Sequence, residues 1–148
     1  MARVDRAVDA AWPARQGDDY VREMRWAAGE LETIAREMQA KGFGRIEQSR
    51  TYHYLGSVYA DLGPALGKAM LLQAQKVYQR AETLLEGQSD ELERAKLSFD
   101  FANTLRQIDP KDMEQLQEAK RRLLAARAYF AMHAPQYLAQ VDAALQSV

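Results

Sequence analysis

A small–large–small spacing returns along the chain and limits the folds open to it. Ala74-x3-Tyr78-x2-Ala81 comes back as Ala119-x3-Leu123-x2-Ala126, 45 residues later, and is foreshadowed by Ala27-x3-Leu31-x2-Ile34, 47 residues earlier. Offsets of four and three place such residues on one face of a helix. A second pattern precedes each of these by 14 or 15 residues: Leu55-Gly56-x2-Tyr59, Phe101-Ala102-x2-Leu105 and Val8-x3-Trp12. Small residues let two helices approach closely, and large ones fill the gaps beside them. A helix pair patterned in this way leaves an apolar face uncovered, so pairs stack.

Composition agrees. The chain has 25 Ala and 16 Leu against 7 Val, 3 Ile and 4 Thr. Ala and Leu favour helices, and β-branched residues favour strands. A β-sandwich or barrel is thereby excluded and a parallel sheet disfavoured. Pro13, Pro64, Pro110 and Pro135 mark breaks, and Gly42, Gly63 and Gly87 suit helix C-caps. The expected helices are 2–12, 18–41, 45–62, 65–86, 90–108, 111–132 and 136–147. Asp109 before Pro110 reads as an N-cap, and Ser89-Asp90-Glu91 as a similar start. Short links make consecutive helices antiparallel neighbours. The length of 148 residues suits a single domain.

Tyr52-x2-Leu55-Gly56-x2-Tyr59 followed by Ala74-x3-Tyr78-x2-Ala81 resembles a tetratricopeptide repeat, a helix marked W-x2-L-G-x2-Y paired with one marked A-x3-F-x2-A. The stretch 45–87 matches all of these positions in type. The stretch 90–132 has Ser98 at the first aromatic place, and 2–41 is looser, with Asp9 where a small residue belongs. The period of 45–47 residues exceeds the family's ~34. It resembles divergent, long-period bacterial members. The resemblance implies an all-α fold: antiparallel helix pairs stacked as a short right-handed solenoid of about seven helices, in one domain. Repeats 2–41, 45–87 and 90–132 are closed by a capping helix at 136–147.

Catalytic signatures are missing from the sequence. There is no Cys, so no thiol chemistry or Cys-ligated metal. His53 and His133 lie on different expected helices, and no Glu-x-x-His pair, phosphate loop or nucleophile elbow occurs. The expectation is a protein that is not an enzyme, with no cofactor and no metal. Twenty basic and 21 acidic side chains give a net charge of −1, which disfavours nucleic acid as a partner. No stretch reaches the ~20 apolar residues of a membrane span, and no secretory signal is read at Met1–Arg6, so the cytoplasm is the expected location.

In the family, the first helix of each pair lines a concave groove for a peptide. Carried over by position, that implies a peptide-binding groove of Arg50, His53, Ser57 and Asp61 from one repeat. Lys96, Phe99, Asn103 and Arg106 come from the next. Tyr54 joins them because it lies off the core face, and His53 is expected exposed or in the groove. Asn103 sits where the family often bonds a peptide backbone. Arg50, Lys96 and Arg106 suit an acidic segment or a terminal carboxylate. The expected partner is a protein or peptide, held by an adaptor, scaffold or chaperone. The alternative is a structural protein that self-associates through its N-terminal helix, which carries Val4, Val8 and Trp12.

Overall fold

The computed structural model describes residues 3, 4 and 19–148, and every regular element among them is helical. The α-helices are α1 (Tyr20–Ala40), α2 (Arg45–Leu66), α3 (Lys68–Leu85), α4 (Glu91–Ile108), α5 (Met113–His133) and α6 (Leu138–Leu145). A 3-10 turn, Pro135–Tyr137, enters α6. Six α-helices thus stand among the described residues. The helix expected at 2–12 lies outside them except for Arg3 and Val4, which are helical.

Most breaks fall where glycine and proline place them. Gly42 and Gly87 follow α1 and α3 as expected, but Gly63 and Pro64 do not end α2. That helix runs on to Leu66 and stops at Gly67, whose φ of 96° only glycine adopts without strain. Gly63 is small for another reason: a Cβ there would stand 2.8 Å from Leu71 Cδ2 of α3. At α5 the N-cap is Asp112 rather than Asp109, and its carboxylate accepts from the backbone N–H of Glu114 and Gln115. Asp90 caps α4 through the N–H of Glu93.

The chain divides into two compact units, Met1–Gln88 and Ser89–Val148. In the first, α1 and α3 both pack on α2. Ser49 of α2 faces Ala81, while Gly63 faces Leu71, so α2 and α3 run antiparallel. Tyr20 bonds to Asp61, and Thr51 lies against Met38, which makes α1 and α2 antiparallel as well. The repeat positions are the contact. Leu55, Gly56, Tyr59, Ala74, Tyr78 and Ala81 are all buried. Removing a side chain such as Leu55 from water contributes ~1.5–3 kcal/mol. A Cβ on Gly56 would stand 2.5 Å from the Tyr78 ring, so no larger residue fits without movement. Ser49 Oγ donates to the Ala81 carbonyl at 2.8 Å. Arg45 Nε and Nη2 donate to the last-turn carbonyls of Leu84 (3.0 Å) and Thr83 (2.8 Å), the latter also accepting from the Glu86 N–H that closes the helix end. Arg3 pairs with Glu37 of α1.

In the second unit α4 packs on α5, and α5 on α6. Phe101, Ala102 and Leu105 are buried, as are Ala119, Leu123 and Ala126. The Arg122 guanidinium lies 4.2 Å from the centre of the Phe101 ring. The Tyr137 ring sits 4.9 Å from that of Phe130, and Val141 and Ala144 are buried, as suits a terminal helix that covers an apolar face. The run Lys120-Arg121-Arg122 with Arg127 is largely neutralised within this unit. Glu118 binds Arg121 and Arg122, and Asp142 binds Arg127 at 2.6 Å.

Candidate functional site

The nine expected groove residues fall on two helices in two units. On α2, His53 is 7% exposed, which corrects the expectation of an exposed side chain. Its ring stacks on Tyr54 at 6.3 Å and meets the Tyr78 ring edge-on at 6.0 Å. Contact with the Tyr78 ring of α3 accompanies that burial. Ser57 Oγ lies 3.1 Å from the Tyr78 hydroxyl, so it also serves the α2–α3 contact. Arg50, Tyr54 and Asp61 are half-buried, and the Asp61 carbonyl accepts from the Tyr20 hydroxyl at 2.8 Å.

On α4, Lys96, Phe99, Asn103 and Arg106 are all half-buried. Arg106 Nε donates to Asn103 Oδ1 at 3.1 Å, one turn apart. The Asn103 oxygen is the acceptor of that bond, and its amide NH2 is the side chain's donor group. The Lys96 ammonium stands 5.3 Å from the centre of the Tyr137 ring, within cation–π range.

A cleft of ≈ 200 Å³ opens in the first unit. Its floor is Tyr52, Leu55 and Tyr59 of α2; Glu32, Ala35 and Arg36 of α1 form one wall, and Gln73 and Val77 of α3 the other. The floor residues recur at offsets of three and four, so they share one face of α2. Tyr54, two residues from Tyr52, points to the opposite side, together with Arg50 and Asp61. The cleft therefore lies across α2 from the expected groove residues of that helix. The repeat motif places Tyr52 and Tyr59 at core positions of one helix face. Tyr52 is only half-buried, and its exposed edge is what the cleft presents.

Charge borders the cleft. Arg25, Gly29, Glu32 and Arg36 follow one stripe of α1, at offsets of four, three and four. On α3 the stripe is Gln73, Lys76, Val77 and Arg80. Arg25, Arg36, Lys76 and Arg80 are exposed. Among the described residues no carboxylate forms an ion pair with any of the four. One carboxylate, Glu32, shares these stripes with them. Elsewhere among the described residues, no group of three or more His, Asp or Glu side chains is placed to hold a metal ion. No described helix is long and apolar enough to cross a membrane.

No protein-family model, curated protein or solved structure matches this chain. The functional reading therefore rests on the chemistry of these surfaces.

Proposed function

We propose that this chain is a non-catalytic protein-interaction module, an adaptor, scaffold or chaperone built from tetratricopeptide-like helix pairs, which holds a segment of another protein. The observation that carries the reading is the cleft over α2. It offers an aromatic floor at the surface, between two walls fixed by separate packing contacts. Its ≈ 200 Å³ falls below the ~300–1,000 Å³ usual for small-molecule sites. A space of that size suits one or two apolar side chains inserted from a partner surface, the manner in which buried anchors dominate protein recognition. The α4 set offers a second contact of a different kind, because the hydrogen bond from Arg106 engages the Asn103 oxygen and the NH2 group of that amide can donate to a backbone carbonyl.

Site-specific photocrosslinking in the native cell tests the reading. A benzophenone side chain replacing Gln73, on the cleft wall, is expected to give a discrete protein adduct. The same group replacing Lys111, an exposed residue far along the chain, serves as control. Adducts from Lys111 with none from Gln73 would overturn it.

A further inference from the structure

We infer that the cleft over α2 takes an acidic amphipathic helix, with its apolar stripe on the floor and its carboxylates against the two rims. This rests on the protein-binding reading above and names the partner's chemistry. Three observations carry it. The floor is apolar and aromatic, and Tyr52 and Tyr59 stand seven residues apart, about 10 Å along α2. That span matches apolar anchors at i and i+7 of a partner helix. Arg36 lines the cleft beside Glu32, and three further exposed cations share the stripes of its walls: Arg25 on α1, Lys76 and Arg80 on α3. None of them is neutralised by an ion pair among the described residues. A helix that carries acids on both flanks of one apolar stripe meets this arrangement, and a basic one is repelled by it.

Single-stranded nucleic acid is the rival for a basic, aromatic surface, since bases stack on exposed rings. The floor disfavours it. Tyr59 and Leu55 are buried, which leaves the half-buried Tyr52 as the one floor ring with substantial exposure, too few for successive bases to stack on. The chain's net charge of −1 disfavours it as well.

The test uses the intact chain and isothermal titration with four probes. The first is a synthetic helix with Leu at i, i+3, i+4 and i+7 and Glu at its other surface positions. The second replaces each Glu by Lys, the third replaces each Leu of the first by Ser, and the fourth is a single-stranded oligonucleotide. The Glu–Leu peptide is expected to bind, more weakly at high salt, and the other three to fail. The double variant R36E/R80E is expected to weaken the Glu–Leu peptide about tenfold and to improve the Lys–Leu one. V77D, on the wall, is expected to abolish binding of the Glu–Leu peptide. Circular dichroism melts of the variants, unchanged from the parent, confirm that the surface and not the fold was altered. Equal binding of the Glu–Leu and Lys–Leu peptides would overturn the charge assignment and leave the protein-binding reading standing. Failure of both peptides would overturn the two together. Oligonucleotide binding lost in R36E/R80E, or self-association of the chain lost in V77D, would replace the acidic helix as the occupant.

Discussion

In the first unit a close approach between helices puts Gly56 under the Tyr78 ring, while the matching places in the second unit hold Ala102 and Leu123, both buried. The fastening differs too. Hydrogen bonds tie α2 to α3, from Ser49 to the Ala81 carbonyl and from Arg45 to the end of α3. Between α4 and α5 the place of Ser49 is taken by buried Ala95, and Arg122 lies on the Phe101 ring instead. Helix starts are reversed in character: Asp90 and Asp112 cap the second unit's α4 and α5, whereas α2 and α3 begin at Gly44 and Gly67 with no side-chain cap. The shared spacing therefore specifies where helices touch. The polar chemistry that holds them is chosen separately in each unit.

The largest expected effect comes from the approach itself. Gly56→Ala should destabilise the protein by about 1–3 kcal/mol in urea unfolding, because the new methyl meets an aromatic ring and overpacking outweighs the gain in helix propensity. Ala102→Gly should cost about 1 kcal/mol from backbone entropy. A neutral or stabilising Gly56→Ala would erase the difference between the two contacts. Next comes capping. Asp112→Ala should lose about 1 kcal/mol, with Asp112→Asn retaining most of the stability. Equal losses from both would show that charge and not the cap hydrogen bonds matters there.

The smallest effect is electrostatic. The hydrogen bond from Arg121, aided by the charges of both neighbouring arginines, holds the Glu118 carboxyl below its ordinary value of 4.5 despite partial burial. A carboxylate lowered in the folded state stabilises above its ordinary value, and that contribution fades as pH falls through the lowered one. Glu118→Gln should thus slightly lower the melting temperature at neutral pH and flatten its decline below pH 4.5. An acid limb identical to the parent's would show that this surface group contributes nothing.

The helical class and the touching positions were legible, since Ala74, Ala81, Ala102, Ala119 and Ala126 recur at helical offsets and all are buried. The break at Gly63–Pro64 was not. Proline near a helix end resembles a stop, and only the packing of Leu71 shows why Gly63 must be small inside the helix. The burial of His53 was not legible, because polarity suggests solvent, while the Tyr78 ring that it meets edge-on belongs to another helix. The cleft was hidden for the converse reason. A pattern reveals that Tyr52 is apolar on one face, but not that α1 and α3 leave its edge uncovered.

Amide chemical-shift mapping tests the central claim, that the cleft over α2 is the binding surface. Titration of the labelled protein with the Glu–Leu peptide should move the resonances of Glu32, Arg36, Tyr52, Gln73 and Val77 most. Shifts centred on Lys96, Asn103 and Arg106, with the cleft residues unmoved, would contradict it.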